Sequence, residues 1–541
     1  MGSHIHNIEL TLLILVVLVA ALAALAQRVK TPYPIVLVLS GLVLSFFPVI
    51  PHVSINPTFV FLVILPPLLF TAALNTAWRE FRFNLVSIAT LGIGLVGFTV
   101  SGISVVAHFF MPEFDWRTGA VLGAVISTTD AIAVAAIASR VGLPHRVLEI
   151  IEGESLVNDA TGLLALQFTT ALVVSGEIPS IGGGVREFVW LICGGIAAGL
   201  LVGWFVARFD RLLFRLFQQS SEVPILVSIA TPYFAYLLGE AIHSSGVLAT
   251  VVCGLYLGRT TSETFTTRAR LDSHAIWSTI DFVLNGLIFI VIGLQLPTVL
   301  DGMRDRSGHL NWPHMIAGAA FVCVVAIAVR MALIFPGAYA AWLLRHRVLG
   351  QQVAKPTPSE LVVTGWSGMR GVLTLAAALS LPEFLDNGSP FPRRGHIIFY
   401  AFAVILVTLV GQGLSLPALI RKMGLVESEE TLDEERKARR VLVKAALQVL
   451  QNTPPPEEDE GEAGPVETLT RFYQGRLDSL KRNVTEPEQM QTRRFQELSA
   501  KIRKVEREQI LRLRAEGKFR EATLRDLERE LDLMDLRWEG K

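Results

Sequence analysis

The sequence predicts an all-α membrane protein of about 13 transmembrane helices with a soluble helical C-terminal tail. Three observations carry this. Hydrophobic residues make up 51% of the 541-residue chain and charged residues only 18%, and the charge is concentrated after about Val426. Before that point the chain is a series of apolar runs of about 20 residues, the length an α-helix needs to cross a bilayer core of about 30 Å. Lysine and arginine in the intervening loops alternate between poor and rich, as they do when cytoplasmic loops retain positive charge.

The apolar runs lie near residues 8–26, 34–50, 57–75, 84–110, 117–139, 147–175, 184–207, 223–241, 245–258, 275–298, 314–343, 359–381 and 396–419. The run at 245–258 is short, and its neighbour contains Pro224 and Pro232, so this pair is the least regular. The first run has no basic segment before it and no cleavage site, and reads as a retained span. With the N-terminus outside, the inner loops carry Arg28, Lys30, Arg79, Arg82, Arg140, Arg146, Arg208, Arg211, Arg215, Arg259, Arg268, Arg270, Arg345, Arg347 and Lys355. The outer loops carry Arg117, Arg186, Arg304, Arg306, Arg393 and Arg394. Fifteen against six places the N-terminus outside and the C-terminus in the cytoplasm of a plasma-membrane protein.

Thirteen spans divide as six, one linker and six, which lets two halves run in opposite senses as inverted repeats. Span 5 of the first half then corresponds to span 12 of the second. Both are interrupted by polar residues, Ser127–Ala131 (STTDA) and Thr364–Gly371 (TGWSGMRG). Matched interruptions in two halves point to a binding site near the membrane midplane.

The sixth run contains GESLVNDATG, Gly153–Gly162. Glu154 and Asn158 are four residues apart, as are Ser155 and Asp159, so the four share one helical arc. An ionised group at the bilayer centre costs about 2.5–3.5 kcal/mol on insertion scales, so this arc faces protein or a wet cavity rather than lipid. Thr128, Thr129 and Asp130 fall near the middle of span 5. Hydroxyl, amide and carboxylate oxygens are hard ligands suited to a hard cation such as Na⁺ or K⁺. One carboxylate holding either a cation or a proton is the simplest physical route to exchange. Arg330, in the middle of AIAVRMALIF, needs a counter-charge. Glu154 is the preferred partner for it, with Arg370 competing for the same carboxylate or compensating the ends of a broken span 12.

Four stretches together resemble the bacterial sodium/proton exchangers of the first monovalent cation:proton antiporter family. These are Leu65–Leu74 (LPPLLFTAAL), Ser127–Leu164, Leu287–Pro297 (LIFIVIGLQLP) and Gly365–Pro382 (GWSGMRGVLTLAAALSLP). The likeness covers about residues 10–420 and leaves out the tail. It implies a 13-helix inverted-repeat fold with broken crossing helices, a homodimer, and a mobile core that carries the ion past a fixed dimerisation domain. It implies that Asp159 binds the cation and takes the proton, with Asp130, Ser155 and Thr129 completing a Na⁺ site. Asn158 stands where electrogenic relatives carry a second aspartate, which implies one proton per cation. Glu154 and Arg330 are implied to form a structural ion pair. No cofactor is implied beyond the transported cation and proton. Two departures stand out. Many members carry an acid in the third span where this chain has Thr71, and many have proline after the aspartate of span 5, where this chain has Ala131. The break in span 5 is then softer, or is made without proline.

The rest of the chain adds less. Cys193, Cys253 and Cys323 all lie in apolar runs, as packing cysteines do, and the 11 histidines show no metal-ligand spacing. No basic patch suggests nucleic acid. Gly195, Gly199 and Gly203 recur at four-residue intervals and allow a close helix contact, within one chain or across a dimer. The transmembrane domain is expected over 1–425 and a cytoplasmic helical tail over 426–541, with an acidic Pro-rich linker near 452–465. The rival function is a tail-gated cation channel or leak. An enzyme is disfavoured because no nucleophile has an evident base and no H-E-x-x-H pair occurs.

Overall fold

The structure is a computed structural model that describes residues 2–47, 57–176, 181–216, 222–264, 267–301, 312–425, 429–452 and 465–480, with short pieces between 501 and 527. Arg304, Arg306, most of the acidic stretch near 452–465 and most of the tail beyond 480 lie outside the described residues. The chain separates into two compact units, Met1–Glu427 and Ser428–Lys541.

In the first unit every described element is helical apart from one isolated antiparallel bridge between Phe384 and Pro390. Among the described residues, eight helices are long and apolar enough to cross a membrane, including Trp78–Phe110, His145–Ser175, Ala269–Leu294 and Arg394–Lys422. Leu13–Val29, Tyr33–Leu44 and Gly246–Thr260 are apolar and shorter. Large apolar side chains such as Phe98, Phe109, Trp204, Phe205 and Val324 project outward at more than half exposure. Such a surface suits lipid and would be a liability in water.

Two packed groups frame the site. In one, Trp78–Phe110 packs against Trp116–Val125, His145–Ser175 and Trp312–Leu343. In the other, Ile181–Leu216 and Leu65–Asn75 flank Gly246–Thr264, while Thr267–Leu294 lies along Tyr33–Leu44. The small-residue stripe of Ile181–Leu216 is used inside the chain. A Cβ on Gly199 would run into the carbonyl of Ala249, so the glycine sets the closeness of that helix pair.

Two further helices are broken. Trp116–Val125 stops at Ile126, and the chain resumes as Ala131–Val141. Pro358–Trp366 stops at Ser367 and resumes as Val372–Leu379. Three of the four pieces have a side-chain cap that explains where they begin. Asp115 caps the first by accepting the Thr118 N–H at 2.9 Å. Asp130 caps the second by accepting the Ile132 N–H at 2.9 Å, so this break is made without proline. Thr357 and Glu360 form a reciprocal capping box on the third, with Pro358 as its first residue.

The second unit is described in part. Helices Glu429–Gln451 and Pro465–Ser479 pack on each other, with Val443 and Leu447 buried and the Arg440 Nε donating to the Leu480 carbonyl at 2.7 Å.

Candidate functional site

The two interruptions meet. The Asp130 N–H donates to the Met369 carbonyl at 2.8 Å, a backbone bond from one broken helix to the other. The hydroxyls of Thr128 and Thr374 are 3.0 Å apart. Breaking a helix frees carbonyls at one end and N–H groups at the other, each with a partial charge of the helix dipole. Arg370 answers the carbonyls. Its Nε donates to the Ile126 carbonyl at 3.0 Å, its Nη1 donates to the Gly368 carbonyl, and its backbone N–H donates to Thr408 Oγ1 at 3.0 Å. One fully buried cation thus sits against the carbonyl ends of both broken helices. The Asp130 carboxylate lies at the opposite kind of end, the N-terminus of Ala131–Val141. Glycine at 371 leaves room for that carboxylate, because a Cβ there would overlap it unless Asp130 moved.

Helix His145–Ser175 brings its polar arc against this crossing. Ser155 Oγ donates to the Thr129 carbonyl at 2.7 Å. Asn158 Nδ2 donates to Thr129 Oγ1 at 3.1 Å and to Glu154 Oε1 at 3.4 Å. Glu154 is turned the other way, toward Arg330 on Trp312–Leu343. Arg330 Nη2 meets Glu154 Oε2 at 2.7 Å and Nη1 meets Oε1 at 3.0 Å, a two-pronged contact. The remaining donors reach the Gly365 and Thr364 carbonyls at 3.2 and 3.4 Å, at the end of Pro358–Trp366. Glu154 is therefore engaged by Arg330, while Arg370 serves the helix ends.

Asp159 and Asp130 line one cavity of about 320 Å³ together with Ser155, Thr129, Thr128 and Thr71. Asp159 is half-buried. Among the described residues, one oxygen of each aspartate, Asp159 Oδ1 and Asp130 Oδ2, is buried without a hydrogen-bond partner, as is Asn158 Oδ1. Unsatisfied buried oxygens are rare in folded proteins and mark a place where an ion, a proton or water completes the shell. Of the eight residues singled out from sequence, Asp159, Asp130, Ser155 and Thr129 meet at the cavity. Asn158 braces Thr129, and Glu154, Arg330 and Arg370 stand behind them.

Sequence reasoning missed several residues around the site. Asp281, on Thr267–Leu294, and Glu152 line the same cavity. Asp281 could have been found, since it is an acid inside an apolar run, itself a functional signal. Thr408 and the Met369 carbonyl carried no such mark, because their roles depend on contacts made across the fold.

The family described as "sodium/hydrogen exchanger, transmembrane" matches residues 14–422. The chain belongs to the sodium/hydrogen exchanger family. This is a family of transporters rather than enzymes, and its members exchange cations for protons. The exchanger is 34% identical over 526 residues to an uncharacterised Na⁺/H⁺ exchanger of Mycobacterium tuberculosis, covering 95% of this chain and 93% of that one. It is 32% identical over 482 residues to the sodium, potassium, lithium and rubidium/H⁺ antiporter of Bacillus pumilus, covering 88% of this chain and 70% of the relative. The exchanger's fold is similar to that of the sodium proton antiporter MjNhaP1 from Methanocaldococcus jannaschii, with a TM-score of 0.56 at 20% identity, covering 77% of this chain and 99% of that one.

Proposed function

We propose that this exchanger moves Na⁺, and also Li⁺ or K⁺, against H⁺ by competition of cation and proton for Asp159. The observation that carries the reading is the pair of carboxylates, Asp159 and Asp130, which line one cavity at the crossing of two broken helices and each keep a buried oxygen with no partner among the described residues. Ser155 and Thr129 supply the neutral oxygens. A desolvated carboxylate is stable with a cation or with a proton, and poorly stable with neither. Loading one therefore expels the other. The breadth of cations follows the Bacillus pumilus relative, whose name includes four alkali metals.

The stoichiometry is one cation per proton, because Asn158 is neutral and its amide is spent on Thr129 and Glu154. Glu154 and Arg330 form a structural pair, and Arg370 compensates the helix ends. Eight long apolar helices, three shorter ones and two broken pairs support a 13-span count with six-helix inverted repeats, the two breaks falling in corresponding spans. In this arrangement the N-terminus is outside the plasma membrane, and 426–541 is a cytoplasmic tail with an acidic linker near 452–465. The protein works as a homodimer whose core slides, elevator-like, to give alternating access.

Proteoliposomes loaded with a pH-sensitive dye and challenged with Li⁺, Na⁺ or K⁺ across pH test this. Cation-driven proton efflux whose rate is the same at zero potential and under imposed inside-positive or inside-negative potential supports electroneutral exchange. Single-channel currents in a planar bilayer would instead favour the tail-gated channel.

A further inference from the structure

The cavity holds a third aspartate that the exchange site does not use. Asp281 comes from Thr267–Leu294, a helix that packs chiefly along Tyr33–Leu44. The Asp159 helix packs instead against Trp78–Phe110 and Trp116–Val125. The two carboxylates thus reach one cavity from different packed groups. One turn beyond Asp281, Asn285 is fully buried; its side chain approaches the Asp281 carboxylate, and among the described residues neither amide atom has a partner within 3.5 Å. A buried amide whose oxygen is left without a donor calls for a ligand that the surrounding side chains do not supply. Beside the cavity, Thr71 spends its hydroxyl hydrogen on the Pro67 carbonyl at 2.7 Å, which leaves its oxygen lone pairs free.

We propose that Asp281, with the Asn285 amide oxygen, forms a staging site where the transported alkali cation rests before transfer to Asp159. The donor set suits such an ion: one carboxylate, one amide oxygen and a nearby hydroxyl oxygen are hard ligands with a single negative charge. One charge matches one monovalent cation and holds it weakly enough to release it, as a multi-site path requires. Placement on a different packed group matters as well. A cation bound at Asp281 is delivered to Asp159 only while the two groups share the cavity, so the site concentrates the substrate without sitting in the carrier carboxylate itself. Neutralising Asp281 therefore weakens capture and leaves the exchange step in place.

The inference rests on the proposed exchange, and the test separates the two. In proteoliposomes Asp281→Asn, which keeps the side-chain shape, is expected to raise the apparent KM for Na⁺ about tenfold, while the rate at saturating Na⁺ stays within about twofold of wild type. Asp281→Glu is expected to restore most of the affinity. An unchanged KM in a well-folded Asp281→Asn protein would overturn the staging site. So would a fall in maximal rate with KM intact, which is the mark of a structural role. Should the wild type itself show no exchange, the proposed function falls, and direct binding still decides the staging site. Radioactive sodium binding to detergent-purified Asp159→Asn should persist weakly and be lost when Asp281→Asn is added. Equal binding by the single and double variants would reject the site.

Discussion

Glu154→Gln removes the negative charge that faces Arg330. Both side chains are almost wholly buried, at 0% and 3% exposure, and their two contacts of 2.7 and 3.0 Å make this pair the tightest in the site. The guanidinium cannot shed its proton. In the variant it would keep only the Gly365 and Thr364 carbonyls and one neutral amide. Removing one partner of a buried ion pair costs about 3–5 kcal/mol, because the other charge is left uncompensated. Taking about 2 °C per kcal/mol, the lower end for large domains, the apparent melting temperature in detergent falls by about 6–10 °C. The double variant Glu154→Gln/Arg330→Met recovers at least half of that loss, since no buried charge then lacks a partner. The apparent Na⁺ affinity of the single variant changes less than its stability. A melt within about 2 °C of wild type together with a large loss of affinity would refute the reasoning and make Glu154 part of the ion site.

Other consequences follow from the same geometry. Asn158→Asp places a second carboxylate beside Asp159, and Na⁺-driven proton efflux, which then moves two protons out per Na⁺ in, should accelerate under an imposed inside-positive potential; indifference to potential would remove Asn158 from control of stoichiometry. Gly371→Ala drives a methyl group into the Asp130 carboxylate. Its cation-driven flux should drop at least about tenfold, equivalent to about 1.4 kcal/mol, with a melting temperature much closer to wild type than that of Glu154→Gln; wild-type flux would mean Asp130 does not need its present position.

What could be read from the sequence follows from what the bilayer demands. Apolar runs of span length announced a helical membrane protein, because lipid admits few alternatives. The polar arc of Glu154, Ser155, Asn158 and Asp159 was visible because charge in an apolar run is costly, and the family motifs around it identified an exchanger. Choices between partners were not legible. Arg330 and Arg370 are both lone arginines in apolar surroundings, and only the fold brings Glu154 to the first and the Ile126 carbonyl, 244 residues away in sequence, to the second. Asp281 carried the same signal as Asp159, but its polar neighbours Ser278, Thr279 and Asn285 do not form a compact run like GESLVND. Its meaning comes from the cavity it shares, and a cavity has no sequence of its own.

The most direct test of the account is proton flux by purified Asp159→Asn in proteoliposomes under an imposed Na⁺ gradient. The account predicts flux no greater than that of empty liposomes from a protein that melts like wild type. Sustained Na⁺-driven proton movement by that variant would contradict it.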